Sequence, residues 1–247
     1  MPILVPARPL FGEGVRAERA VWEVLRDQLP DEAVLFHSLR VQERQSEYEA
    51  DIVVLIPGAG WAVIEVKGGD VRRVDGVWEQ RQKGLWQGID PVGQAQDCRH
   101  VLQRYLARHG SSAEHSRAIH MVALPDCEVG DDLEPPGLPR PLLIDRNDLK
   151  EAFHKVLQAL DRHGQGSAPL SEAETDEMRR LLSGPTGTTS PPEMTSSTGM
   201  CSASRVLSVR SSCSPSTGSA TCRGPRRSYT STAAALRPCS SSVVTPS

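Results

Sequence analysis

The sequence predicts an α/β domain over residues 1 to about 184, with a central mixed β-sheet flanked by helices, followed by a disordered C-terminal tail over 185–247. Three observations lead there. Two apolar runs, Glu49–Ile56 and Trp61–Gly68, are joined by Pro57-Gly58-Ala59-Gly60. Short β-branched runs around a Gly-containing connection form a hairpin signal. Segments with helical spacing of apolar residues lie before and after that hairpin. Past Gly184 the chain becomes Ser/Thr-rich, loses Lys and keeps no apolar period. Such a segment buries too little surface to offset the entropy of ordering.

The elements follow in order. Pro2–Leu10 is an irregular or extended lead-in. Gly12–Leu29 is helical, with Val15, Trp22, Leu25 and Leu29 on one stripe and Glu18 in its middle. Pro30-Asp31 ends that helix, and Ala33–Val41 is a strand. A polar loop, Gln42–Tyr48, leads into the apolar hairpin. Val71–Val74 and Val77–Glu79 form a second, smaller hairpin around Asp75-Gly76. Its Arg72 and Arg73, with Arg81 and Lys83, make the most basic patch ahead of the tail. Charge on an edge hairpin blocks aggregation, so a solvated edge explains each of these residues better than a DNA contact does. Asp90-Pro91 opens a helix to about His109, with a capping acid followed by Pro at the first helical position. Its stripe is Cys98, Val101, Leu102 and Tyr105, and Gln94 lies on it in the first turn, facing the sheet. Ile119–Leu124 and Pro141–Ile144 have strand length and apolarity. Asp148–Arg162 is an amphipathic helix with Leu149, Phe153, Val156 and Leu160 inward. Ser171–Glu174 is a capping box that opens a last helix ending near Leu182.

Composition bounds the function. The 247 residues carry a net charge of −3, but unevenly: the tail has six arginines against Glu193 and a net of +5, which leaves −8 for residues 1–184. That acidic balance gives no nucleic-acid signal. No signal peptide and no membrane span is readable. Cys98 and Cys127 are the cysteines ahead of the tail and have no metal-ligand spacing, which suits a reduced cytoplasmic protein. Cys201, Cys213, Cys222 and Cys239 are scattered through the tail at spacings that match no zinc motif. The tail's mixture of Ser, Thr, Pro, Arg and Ala without Lys looks like a GC-rich gene read out of frame past about Thr189.

Charged residues in the apolar elements carry the chemistry. Asp51 begins the first run of the hairpin, and Glu65 and Lys67 end the second. Side chains alternate along a strand, so Glu65 and Lys67 point one way and Val66 the other, with Ile64. Charges in such a setting are costly unless they are paired or hold a metal. A helix packed on a mixed sheet brings Glu18, Asp51, Glu65, Lys67 and Gln94 to one end of the hairpin. Converging acids repel unless a cation sits among them, and Mg²⁺ takes carboxylate oxygens together with water and phosphate. A Lys beside such an ion orients or helps deprotonate a water and stabilises charge on phosphorus. Those are the parts of metal-assisted phosphodiester hydrolysis.

The order helix-Glu, strand-Asp, Glu-x-Lys, helix-Gln resembles the PD-(D/E)xK nuclease superfamily with its restriction-endonuclease-like fold. The local text is similar to its nuclease-related domain (NERD) family. The matching pieces are Gly14-Val15-Arg16-Ala17-Glu18, Glu49–Val54, Val63–Gly68, Trp78, and Asp90-Pro91 with Gln94. They span roughly Phe11 to Leu106, with Ile119–Leu124 as a further core strand. It is the ordered set, not the bare Glu-x-Lys, that carries the likeness. Asp90 stands where the family more often has Asn, and keeps the capping role. The resemblance implies metal ligands at Asp51 and Glu65, a catalytic Lys67, a metal- or water-linked acid at Glu18 and a supporting Gln94. It also implies Mg²⁺ (Mn²⁺ substituting), a DNA substrate in processing or repair, and a helicase-type ATPase in cis or trans. Two other readings fit the same residues: a DNA-binding or docking module with little catalysis, and a purely structural ion-pair network of Asp51, Glu65 and Lys67.

Overall fold

The computed structural model describes residues 1–12, 15–43, 45–130, 135–166 and 168–184. The tail expected over 185–247, with its four cysteines and the reading-frame question, lies outside the described residues, as does Gly14 of the first motif. In chain order the elements are β1 (Ile3–Val5), α1 (Arg16–Gln28), β2 (Val34–Glu43), β3 (Ser46–Ile56), β4 (Gly60–Val66), β5 (Val71–Val74), β6 (Val77–Gln82), β7 (Leu85–Ile89), α2 (Pro91–Arg108), β8 (Ala118–Leu124), β9 (Leu143–Asp145), α3 (Ala152–His163) and α4 (Glu172–Leu182).

The main sheet runs β1-β2-β3-β4-β8-β9. It is mixed: β2, β3 and β4 are antiparallel neighbours, while β1 on β2, β8 on β4 and β9 on β8 are parallel. Both faces are covered, which is why β4 and β8 are buried throughout and read as continuous apolar runs. Ile52, Val54, Ala62 and Ile64 pack with Val21, Leu25, Val156 and Leu160 of α1 and α3. Val53, Leu55, Trp61 and Val63 pack with Val101, Leu102, Leu106 and Met178 of α2 and α4. The result is an α/β fold of three layers, a mixed sheet between two pairs of helices.

Several boundaries differ from the sequence reading, each for a local reason. The lead-in contains a real edge strand, β1, paired in parallel with Val34–Phe36. The expected polar loop over 42–48 is the paired end of the hairpin, since Val41 faces Tyr48 and Glu43 faces Ser46. Its polar residues are held by charge: Glu43 takes Arg104 (2.6 Å) and Arg108 (3.0 Å) from α2. The strand expected over 141–144 is β9, which begins two residues later behind a short 3₁₀ turn, Arg140–Leu142. A second 3₁₀ turn, Leu149–Glu151, precedes α3, so the helix expected from Asp148 starts at Ala152. The small hairpin gains a third strand, β7, through a turn at Lys83-Gly84. Both turn residues have positive φ (50° and 84°), as do Asp75 and Gly76 (49° and 86°), the mirror-image geometry that suits hairpins. Buried Trp78 fastens this small sheet to the α1 side of the core. The Asp90 cap, accepting from Gly93 N at 2.9 Å, and the Ser171/Glu174 capping box are both as read.

Leu25, fully buried between α1 and the sheet, holds the helix that carries Glu18. Leu25→Ala should lower the unfolding free energy by about 2–5 kcal/mol, read as an earlier urea midpoint. A midpoint equal to wild type would show that α1 is not docked on the sheet.

Candidate active site

The sheet forks where the apolar register stops. β3 and β4 stay paired from Ile56↔Gly60 to Ile52↔Ile64. Beyond that point β4 continues beside β8 (Glu65↔Val122, Val66↔Ala123), and β3 continues beside β2 (Ala50↔Leu39, Glu49↔Arg40). Asp51 stands at the fork. Its Oδ2 accepts the Val66 N–H at 2.7 Å, filling the backbone gap that the parting strands leave. One pair further, Glu65 is buried, and its Oε1 accepts from Lys67 Nζ at 2.5 Å. Glu65 and Lys67 thus share a side, as alternation requires.

Glu18 reaches the fork from α1. Burial is the main reason its carboxyl is pushed up to about 7, with Asp51, Glu49 and Glu65 raising it further and Lys67 opposing them. Glu65 is pushed up to about 7 chiefly by burial and then by Asp51, again against Lys67. Burial also raises Asp51, while its bond from Val66 and the nearby Lys67 pull the other way. The electrostatics of Glu18, Asp51, Glu65 and Lys67 are thus linked, and of the four Glu18 and Lys67 line the groove described next, while Asp51 and Glu65 do not. His37 Nε2 lies 3.5 Å from Glu18 Oε2, but burial lowers the imidazole and leaves it neutral at pH 7. This contact is therefore no ion pair at neutral pH.

A groove of about 460 Å³ opens beside the fork, lined by Arg16, Glu18, Lys67, Gly68, Gln80 and Asp126 among others. Its walls are tight. A Cβ on Gly68 would come 2.5 Å from Ala17 Cβ, so only glycine lets the segment after Lys67 pass under α1. Gly69 then turns away with φ +72°, and its N–H donates to Asp126 Oδ2 at 2.7 Å. Asp126 Oδ1 takes Arg16 Nη2 at 2.9 Å. Gln80 Nε2 donates to Gly68 O at 2.8 Å.

Gln94 corrects the sequence reading. It is exposed, although Ala95 and Cys98 beside it on α2 are buried. The stripe it shares with Cys98 passes above Glu49, whose carbonyl accepts from the Cys98 thiol at 3.2 Å. β3 is largely exposed over Ser46–Glu49, so the first turn of α2 overhangs a stretch that buries little. The glutamine in the groove wall is Gln80, and the further acid is Asp126. Asp126 sits two residues past an apolar strand, an end-of-strand position that a strand-by-strand reading could have flagged. Gln80 sits in a polar stretch with no such signal. Cys98 is no nucleophile here: burial, and then Glu65 and Asp51, push its thiol up to about 12.

No group of three or more His, Cys, Asp or Glu side chains among the described residues is placed to hold a metal ion. Glu18 therefore converges with the other acids electrostatically without completing a cage. The Asp51–Glu65 pair nonetheless has the chemistry a hard cation takes. Each carboxylate spends one oxygen on Val66 or Lys67, and the other accepts no hydrogen bond among the described residues. Two carboxylates with water filling the remaining positions is the usual way such an ion is held.

The family model of the nuclease-related domain, NERD, matches residues 13–125. That span contains Glu18, Asp51, Glu65, Lys67 and Gln94 and ends one residue before Asp126. No curated protein and no solved structure matches the chain. No helix among the described residues is long and apolar enough to cross a membrane.

The raised carboxyls make stability depend on pH in a defined direction. A carboxyl that binds its proton more tightly when folded stabilises fully below its unfolded value, near 4.5. That contribution is lost as pH rises through the folded value, about 7 for Glu18 and Glu65. Without divalent ions, the wild-type melting temperature should fall more than that of Glu65→Gln between about pH 5 and about pH 8. Parallel curves would contradict a Glu65 carboxyl raised by burial.

Proposed function

Starting from the nuclease-related domain over residues 13–125, we propose that this chain is a Mg²⁺-dependent nuclease that hydrolyses DNA phosphodiester bonds, in DNA processing or repair. The observation that carries this is the fork: among the described residues, Asp51 and Glu65 each have an oxygen without a hydrogen bond, and Lys67, bonded to Glu65, lines the groove. Asp51 and Glu65 would hold the ion, which supplies a water of lowered pKa and charge to offset that on phosphorus. Lys67 places a fixed positive charge beside the groove, where it stabilises an oxyanion that builds on phosphorus. Glu18, with its proton affinity near neutral, accepts a proton from an attacking water at physiological pH. Gln80 and Arg16 offer donors along the groove wall to the phosphate backbone.

A docking module with little catalysis has one feature in its favour, the net of −8 over residues 1–184, since nonspecific duplex binding draws on a basic surface. The basic patch on the small sheet offsets this only in part: Arg72 is paired with Glu79 (2.8 Å) and Arg81 with Asp70 (3.5 Å).

Purified protein with Mg²⁺ or Mn²⁺ should nick plasmid or degrade linear DNA, and Lys67→Ala should slow this by roughly 100-fold or more. Circular dichroism should show the variant still folded. Wild-type protein that binds DNA yet leaves it uncut with either metal would establish the docking module instead.

A further inference from the structure

Arg99, on α2, is 3 % exposed. Of the other buried charged side chains among the described residues, Glu65 is met by Lys67 and Asp145 by Arg140. Among the described residues, Arg99 meets no carboxylate. Its Nη1 donates to Gln165 Oε1 at 2.6 Å and its Nη2 to His100 Nε2 at 2.7 Å. Its Nε is buried without a partner. Arginine does not give up its proton in proteins, so this is a full positive charge held out of water with neutral partners only. Removing a charge from water is costly unless a counter-charge accompanies it. Burial lowers the affinity of Arg99 for its proton, and no carboxylate acts against that.

The guanidinium lines a pocket of about 240 Å³ with Gln96, His120, His163, Gln165 and the Gly137 backbone. A single water needs roughly 10–15 Å³ of such space, so the pocket has room for a four-oxygen anion with its own water. Its walls come from four separate parts of the chain, and one is fastened firmly. Gln165 exchanges two backbone hydrogen bonds with Ala118 of β8, at 2.8 and 3.0 Å. His120 Nε2 lies 2.9 Å from Gly137 O, so that nitrogen carries the proton and donates. Gln96 Nε2 lies 3.3 Å from the same nitrogen, which brings its amide to the pocket wall. Gln165 and Gly137 are exposed, which gives the pocket an entrance.

We propose that this pocket is a phosphate-binding site: the guanidinium of Arg99 and the amide of Gln96 take a phosphate group, either free orthophosphate or the terminal phosphate of a polynucleotide. A planar guanidinium with unspent N–H groups matches phosphate oxygens in geometry as well as charge. Donors arriving from two directions suit a tetrahedral anion better than a halide. The site uses none of Glu18, Asp51, Glu65 or Lys67, so it stands whether or not the groove hydrolyses DNA.

The test is calorimetric titration of the full chain with inorganic phosphate, against sodium chloride of matched ionic strength. Wild-type protein should show saturable binding of one phosphate per chain, and its melting temperature should rise with phosphate concentration. Arg99→Gln should weaken that binding roughly tenfold or more, and Gln96→Leu should weaken it less. Displacement of phosphate by an oligonucleotide phosphorylated at both ends, but not by its unphosphorylated twin, assigns the ligand to polynucleotide ends. Displacement by neither assigns it to free phosphate. Wild-type heats no larger than those of the chloride control overturn the site without reference to any variant. So does phosphate binding that survives in folded Arg99→Gln, or equal displacement by both oligonucleotides.

Discussion

Asp51, Glu65 and Lys67 are held at the point where the two most apolar strands part, and the local architecture follows from keeping those charges there. The register of β3 and β4 is fixed by side chains buried on both faces, because a slip of one residue would turn each face inside out. That register ends at Ile52↔Ile64. The next positions on the two strands are Asp51 and Glu65. The carboxylate of Asp51 replaces a missing ladder bond at Val66, and the ammonium of Lys67 offsets Glu65. Two acids and one base leave an excess of negative charge, which adds to burial, the larger cause, in raising the proton affinities of Glu18 and Glu65.

The surroundings keep that excess from relaxing. α1 is docked by Val21, Trp22 and Leu25 and brings Glu18 in from one side. α2 is docked by Val101, Leu102 and Leu106 and covers the fork from the other, with the Cys98 thiol donating to the Glu49 carbonyl. Gly68 lets the chain leave Lys67 beneath Ala17 without a clash, and Asp126 fastens the next turn through the Gly69 N–H. A buried carboxylate pair with unspent oxygens is a poor device for stability alone, since apolar residues of similar volume do as well or better. It is a reasonable device for holding a cation. Site and fold are thus coupled: the same strand pair that forms the centre of the core ends in the charged groups of the fork.

The sequence carried much of this, and unevenly. β3, β4 and β8 were legible because β-branched residues run almost without interruption between Gly and Pro signals. Asp51, Glu65 and Lys67 stood out there because charge in such a run needs an explanation. The caps at Asp90 and Ser171 were legible from two residues each. β7 was not: Leu85-Trp86-Gln87-Gly88-Ile89 alternates weakly, and its turn begins with Lys83, which is seldom found with positive φ. The polar end of the β2–β3 hairpin was hidden because its residues are held by Arg104 and Arg108, far along the chain. Gln94 was misjudged because a helical stripe shows which way a residue faces, but not whether anything lies opposite. Asp126 and Gln80 are brought to the groove by tertiary packing, and Arg99 is buried on a helix whose polar residues otherwise suggest a surface. No periodicity reports a buried unpaired charge.

The central claim is that Asp51 and Glu65 are a cation site, not a structural ion pair with Lys67. The most direct measurement is anomalous diffraction from a crystal of the protein soaked in Mn²⁺ near pH 8. The account predicts a peak bridging the carboxylates of Asp51 and Glu65 at carboxylate–metal distances near 2.2 Å, with Lys67 still at the mouth of the groove. A clean map with no peak there, and Glu65 still bonded to Lys67 at saturating Mn²⁺, would contradict it.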